Sequence, residues 1–311
     1  MTYNELKATY LTSLSDKAAL TARAYKTALD RLSAFLGERA DLPAEKITSA
    51  TLLEFRAALV AEGVSVNAYA DYLNKIKIFF AFCVRHGFLA ESPIAAADLP
   101  KKQKIEYDLL SREQIEQTLT AEPGRVPKMH EQNRARNRAI VMVLLCCGLR
   151  NSELRALRLS DLDFENGTIA VQNGKGGKSR SVPFPAVARQ AVEEYLQDRS
   201  RPPYLTRTAL LFGSACDTRG HKKEGLWREM SAAGLEGIVK AYFGATAGKE
   251  GLKVHSLRHS AASLWDDLGV PMRDVQNALG HASVSTTERV YVQVLNRNKS
   301  AAKINAAFEA V

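Results

Sequence analysis

The stretch 255–291 reads HSLRHSAASLWDDLGVPMRDVQNALGHASVSTTERVY. It carries His255 and Arg258 one helical turn apart, His281 within a Leu-Gly-His, and Tyr291 ten residues later. A spacing of three puts His255 and Arg258 on one side of a helix. The apolar stripe of that helix is read as Leu257, Ala261, Leu264 and Leu268, so the pair is expected to face away from the stripe, toward a surface or cleft. Two potential cations, a second imidazole and a phenol suggest chemistry on an anion. A basic helical surface with an ordinary Tyr would present the same residues, and this stretch alone does not separate the two.

Arg150 and Lys175 complete a set that makes sense at a phosphodiester. Such a group under attack gains negative charge on its non-bridging oxygens. Two guanidiniums can clamp those oxygens bidentately with a charge fixed at any usable pH. Imidazoles can donate a hydrogen bond or move a proton. An ammonium on a turn can protonate a departing hydroxyl. A Tyr phenol, with a pKa of about 10, is a weak nucleophile until nearby positive charge favours phenolate. Its attack on phosphorus would store the bond energy in a phosphotyrosyl ester, so a strand could be rejoined without ATP. The arginines supply the charge stabilisation, so neither metal nor cofactor is expected.

Other chemistries fit less well. Gly176-Gly177-Lys178-Ser179 resembles the end of a phosphate-binding P-loop, but Gln172 stands where the leading Gly belongs, and Arg180-Ser181-Val182-Pro183 reads as strand instead of helix. His255 and His259 have zinc-ligand spacing, yet Ser256 replaces the Glu of the metalloprotease form. No G-x-S-x-G elbow occurs, and the carboxylates show no glycosidase-like pairing.

The elements that must position these residues are mostly helical. At 311 residues the chain is long enough for two domains with proper cores. Thr21 is read as the cap of a helix with Tyr25, Leu29, Leu32 and Leu36 on one face. Thr48 or Ser49 starts a second, with Leu52, Phe55 and Leu59, stopped near Gly63. A third spans about 66–86 with Tyr69, Leu73, Ile76, Phe80 and Val84, ended by Gly87. The periodicity breaks over 92–107, which holds two prolines with Lys101, Lys102 and Lys104. The division is therefore a helical domain over 1–98, a basic linker over 99–107 and a second domain over 108–311. The three lysines are assigned to phosphate contact.

The second domain opens on a Ser111–Gln114 capping box. Arg134, Arg136 and Arg138 lead into an apolar helix over 139–147 whose core face is Ile140, Val143, Leu144 and Cys147, closed by Gly148. Residues 149–154 form a short helix in which Arg150 and Glu153 can pair. Residues 168–171 and 180–182 flank a Gly- and Lys-bearing turn as a β-hairpin. Helices are expected again over 186–198, near 226–243 and over 254–311, where Ile304 and Phe308 make the C-terminal tail a candidate packing element on its own domain or a neighbour.

A formal charge of +9 and a pI of about 9.3 point to an anionic partner. The run 139–149 is far shorter than the roughly 20 apolar residues a membrane span requires. The first residues show no export signal, and no C-x-x-C pair occurs among Cys83, Cys146, Cys147 and Cys216. A cytoplasmic protein with buried free thiols is the expectation.

In combination these motifs resemble the tyrosine recombinase, or phage integrase, family. Gly148-Leu149-Arg150-Asn151-Ser152-Glu153-Leu154 is similar to its first-arginine motif, and Gly174-Lys175-Gly176-Gly177-Lys178-Ser179-Arg180 to its β-hairpin. His255-Ser256-Leu257-Arg258-His259 matches H-x-L-R-H, and Leu279-Gly280-His281 with Ser285-Thr286-Thr287 and Tyr291 matches the nucleophile box. The likeness is strong over about 108–295 and weaker over 1–100. It implies a mainly α fold with a small antiparallel sheet in the catalytic domain, arranged as a two-domain DNA clamp of core-binding and catalytic domains. It implies a site-specific recombinase that passes through a 3′-phosphotyrosyl intermediate and a Holliday junction. Tyr291 would be the nucleophile, Arg150 and Arg258 the phosphate ligands and Lys175 the general acid, with Lys178 as its competitor. His255 would move the tyrosine proton, His281 would hydrogen-bond the phosphate, and Glu153 would orient Arg150. The partners implied are duplex DNA with specific sites and a homotetramer assembled on it from subunits monomeric in solution. The His281–Tyr291 interval is one residue longer than in many Xer-type members. The biological role is read as integrase of a mobile element, with a Xer-type dimer resolvase and a non-catalytic DNA-binding protein of the same fold as alternatives.

Overall fold

The computed structural model of the chain describes residues 1–94, 99–101, 103, 108–120, 133–172, 179–198, 206–214 and 227–280. The chain divides into two units, Met1–Ile105 and Glu106–Val311.

The first unit is helical: α1 (Tyr3–Ser13), α2 (Ala19–Leu36), α3 (Ser49–Ala61) and α4 (Val66–Arg85). Short 3-10 turns at Gly37–Asp41 and Ala44–Lys46 join α2 to α3. The expected core positions Leu29, Leu32, Leu36, Leu52, Phe55, Leu59, Tyr69, Leu73, Ile76 and Phe80 are all buried, while Val84 is half-buried. Thr48 caps α3, its hydroxyl accepting from the Thr51 N–H, and Gly87 stops the chain after α4 with φ +71°. Two expectations are corrected. Thr21 lies inside α2, which starts at Ala19, and α1 had no place in the periodicity reading. Yet α1 has its own capping box from Thr2 to Glu5 and buries Tyr3, Leu6 and Tyr10 at helical spacing. Tyr3 donates its hydroxyl to the Leu29 carbonyl at 2.8 Å, so its one polar atom is satisfied in the core. Asn67 of α4 exchanges two hydrogen bonds with the Gln103 backbone, at 2.8 and 3.1 Å, so Gln103 packs with this unit.

In the second unit, α5 (Arg112–Thr120) opens on a complete capping box, with Ser111 N–H to Gln114 at 3.0 Å and Gln114 N–H to Ser111 at 3.2 Å. The centre is α6 (Arg134–Cys147), in which every residue from Asn137 to Cys147 is buried. The single core face expected for this helix is therefore too narrow: it is surrounded by α8 (Ala186–Gln197), by α10 (Val254–Asp267) and by strand β3 (Arg180–Pro183). The leading arginines fasten it. Arg138 pairs with Glu194 of α8 at 2.8 Å, and Arg136 donates to the Gly213 carbonyl at 3.2 Å.

The sheet is antiparallel, in the order β1 (Leu162–Asp163), β2 (Thr168–Val171) and β3 (Arg180–Pro183). Val171 faces Arg180 and Thr168 faces Pro183, so the predicted hairpin strands pair as expected, with a strand and not a helix after Ser179. A second, two-stranded ribbon joins β4 (Gly213–Ser214) to β5 (Arg228–Glu229), where the sequence reading had placed the start of a helix. That helix, α9, runs over Ala232–Ala247, capped by Ser231. After α7 (Asn151–Ala156) and α10, the last described element is α11 (Met272–Leu279). The helical tail expected beyond it lies outside the described residues. Among those described, no helix is long and apolar enough to cross a membrane.

Candidate active site

Arg150 and Glu153 at the start of α7 and Arg258 on α10 are brought together by the fold and joined by a residue of β3 given no role in the sequence reading, Arg180. Arg150 stands at the N-terminus of α7, directly after the sharp exit from α6 at Gly148. Gly148 has φ +62°, and a Cβ there would lie 3.0 Å from Leu279 and 3.3 Å from Trp265. Only glycine allows both that backbone and that approach. Glu153, one turn into α7, accepts from the Arg150 N–H at 2.8 Å and from its Nη1 at 2.6 Å. The expected Arg150–Glu153 pairing is thus present.

Glu153 is also gripped from β3. Arg180 donates Nη1 to Oε1 at 2.7 Å and Nη2 to Oε2 at 2.9 Å, a parallel two-bond contact. Arg258 Nη1 stands 3.9 Å from Glu153 Oε2. One carboxylate therefore serves three guanidiniums. Its burial acts to raise its pKa, but hydrogen bonds from Arg180 and Arg150 with the charge of Arg180 outweigh that and bring it down to about 2. It is an anion throughout the useful pH range.

The same arginines read the end of α11. Arg180 Nε donates to the Ala278 carbonyl at 2.8 Å, Arg258 Nη2 to the Leu279 carbonyl, and Arg150 Nη2 to the Gly280 carbonyl at 2.8 Å. The last carbonyls of a helix lack intrahelical partners and carry the negative end of its dipole, so three cations satisfy them there. Arg258 Nη1 also donates to the Gly148 carbonyl at 2.6 Å, so that one guanidinium joins the C-termini of α6 and α11.

Arg258 is not on an outward face. Only 1% of its side chain is exposed, because α10 packs against α6, α9 and α11 and is buried from Ser256 to Ala262. Leu268, placed in the apolar stripe, is instead 64% exposed just past the end of the helix. Burial and the neighbouring charge of Arg150 lower the Arg258 pKa to about 9, which leaves it a cation at neutral pH. Arg150 is the more open of the two, with 27% of its side chain exposed. His255 lies one turn before Arg258 and is exposed at the surface. Its ring meets His259 edge-on, with centroids 4.3 Å apart. Packing around it, then the charges of Arg258 and Arg150, lower its pKa, while Glu236 opposes them. His255 is thus neutral at neutral pH and able to accept a proton. Glu236 also accepts the Val254 N–H at 3.0 Å, which places a carboxylate at the start of α10.

Lys175, His281 and Tyr291 lie outside the described residues, as do Lys102, Lys104 and Cys216; Lys101 is exposed. Cys83, Cys146 and Cys147 are buried free thiols whose pKa burial raises, to about 11 for Cys83 and about 12 for Cys146. Arg180 was within reach of strand alternation. It shares a face with Val182, which is buried, whereas Ser181 and Pro183 between and beyond them are exposed. A charge on an inward strand face requires a partner.

The model of the phage integrase family matches residues 109–298, and that of the phage integrase N-terminal SAM-like domain matches residues 8–87. Tyrosine recombinase XerC of Lactobacillus delbrueckii subsp. bulgaricus is 30% identical over 294 residues, 94% of this chain and 95% of that one. XerC of Mycobacterium sp. (strain JLS) is 33% identical over 285 residues, 90% of each chain. The fold is shared with the Tn1549 transposon integrase in complex with circular intermediate DNA, at a TM-score of 0.70 and 20% identity over 93% of this chain and 95% of that one. It is shared also with the XerH site-specific recombinase bound to palindromic difH substrate, at 0.68 and 23% over 94% and 82%. The chain belongs to the phage integrase family of tyrosine recombinases.

Proposed function

We propose that this chain cuts and rejoins duplex DNA at specific sites, with Tyr291 as nucleophile and Arg150 and Arg258 as ligands of the scissile phosphate. The observation that carries the reading is the convergence of Arg150 and Arg258 on the single carboxylate of Glu153, with His255 one turn before Arg258 on the same helix. Glu153 fixes the Arg150 fork, so the charge that meets the phosphate is set before substrate arrives. In the cutting step the Tyr291 oxygen bonds to phosphorus and its proton passes to His255. The bond to the 5′ oxygen breaks, and that oxygen leaves as a hydroxyl with a proton from Lys175. His281 donates a hydrogen bond to the phosphate. Reversal with the 5′-hydroxyl of a second strand rejoins the backbone and returns both protons, so no metal or cofactor enters. Exchange of two strand pairs through a Holliday junction requires four protomers on two sites, and we assign that state to the DNA-bound form, with monomers in solution.

In this reading residues 1–98 form the core-binding domain, 99–107 a basic linker and 108–311 the catalytic domain. Lys101, Lys102 and Lys104 contact phosphates, and the protein works in the cytoplasm. The role is integration of a mobile element. The XerC relatives, matched over nine-tenths or more of both chains, support equally the alternative role, a Xer-type dimer resolvase.

The test uses a nicked duplex, enriched from a random pool for binding, in which cleavage releases a short strand and traps the covalent product. Wild type is expected to leave protein on a 3′-phosphate and Tyr291→Phe to leave none. Tight binding with no adduct from wild type would instead make the chain a DNA-binding protein without catalysis.

A further inference from the structure

Arg180 uses every nitrogen of its guanidinium on protein. Nη1 and Nη2 hold the two oxygens of Glu153 and Nε holds the Ala278 carbonyl, all within 2.9 Å. Only 12% of its side chain is exposed. Unlike Arg258, whose Nε has no hydrogen-bond partner among the described residues, Arg180 has no nitrogen left over, and it is placed to act on other residues. Its contact with Glu153 is bidentate, whereas the Arg150 side chain makes one bond to that carboxylate. Its other contact is three residues before His281, where the ten-residue interval to Tyr291 begins. Gly280 is shaped to it: with φ +61°, a Cβ there would lie 2.9 Å from Arg180 Cδ.

We propose that Arg180 is a positioning residue for strand cleavage, setting the Arg150 guanidinium through Glu153 and, through the Ala278 carbonyl, the helix end from which the segment bearing His281 and Tyr291 departs. A buried ion pair is a weak source of net stability, because desolvation offsets the Coulomb gain. A fork that fixes two elements at once has a geometric use instead. Lysine could keep the charge but not the two parallel bonds together with the third contact.

The inference rests on the recombinase reading, and the experiment separates the two. Full-length wild type, Arg180→Lys and Arg180→Ala are compared on the nicked duplex for affinity, for single-turnover adduct rate at saturating duplex, and for the pH dependence of that rate. Affinity should stay near wild type while the rate falls on the order of 10–100-fold in Arg180→Ala, as when an outer-shell partner is removed from a reactive site. Arg180→Lys should recover part of it. The groups facing Glu153 are Arg150, Arg180 and Arg258. The acid limb of the rate profile, set by the His255 imidazole that takes the Tyr291 proton, should stay in place while the plateau falls, with part of the plateau restored by lysine; a purely structural role would lower affinity along with rate. An unchanged rate in variants of an active wild type would overturn the inference alone, as would a loss that merely follows affinity. A wild type without adduct would overturn the recombinase reading and the inference with it. Should Arg180→Ala fail to fold, Arg180→Lys decides on the same criteria.

Discussion

The cores of the two units are built from different materials. Among the described residues, the first unit buries apolar side chains with Thr51 as its only buried polar residue, at 9% exposure. The second buries Arg138, Arg258, His259, Asn137 and several hydroxyls beside its apolar cluster. The first core is a packing solution, and its ion pairs, such as Lys26–Asp30, lie on the surface. The second interrupts its core with charge where three segments must meet. Packing alone favours the apolar solution, so buried charge marks where geometry is needed for something besides stability.

Two substitutions of similar cost make the contrast testable. Phe79→Ala removes a fully buried ring of the first unit and should destabilise it by about 3–5 kcal/mol through transfer and cavity terms. Glu153→Leu removes the shared counter-charge of the second unit and should also cost about 3–5 kcal/mol, by stranding Arg258 and Arg180. Hydrogen exchange resolves the two. Loss of protection in the other unit in either case would contradict the contrast.

The second unit should also be the first to fail in acid. Glu153 has its folded pKa depressed to about 2 from an ordinary 4.5, so its stabilisation is present above pH 4.5 and is lost as pH falls toward 2. That shift corresponds to about 3 kcal/mol. Tyr3 and Tyr10 in the first unit have pKa values raised above 10, chiefly by burial. Their contribution is complete below pH 10 and is lost as pH rises through the higher folded values. Both tryptophans, Trp227 and Trp265, lie in the second unit, so their fluorescence follows the acid transition there. Tryptophan emission that changes no earlier in acid than exchange protection in the first unit would break the distinction. The smallest effect is expected from Asp30→Asn, which weakens an exposed pair with Lys26 and a part-buried one with Lys7 and should change stability by about 1 kcal/mol or less.

The same contrast explains what could be read from sequence. Helices with one wet face announce themselves, and α2, α3 and α4 followed from leucine and aromatic spacing and from Thr48 and Gly87. Helix α1 carried the same signals in Tyr3, Leu6 and Tyr10 but lay before the first pattern taken up. Periodicity failed where a helix has no wet face. It put Arg258 on a helix with His255 but outward, because α6, α9 and α11 surround that turn and sequence spacing contains no depth. The Arg150–Glu153 pair was legible because it is local. The bond from Arg180 to Glu153 spans 27 residues, and those to the end of α11 span 98 to 130 for Arg180 and Arg150. Only folding brings such partners together. The two-residue strands β4 and β5 were too short to give any alternation.

Whether Arg150 and Arg258 hold a phosphate for attack by Tyr291 is decided by digesting the protein–DNA product trapped on the nicked duplex and locating the attached nucleotide by mass spectrometry. One modified peptide is expected, with a 3′-phosphonucleotide on Tyr291, and none from Arg258→Ala. A nucleotide on any other residue, or an undiminished adduct from Arg258→Ala, would contradict that chemistry.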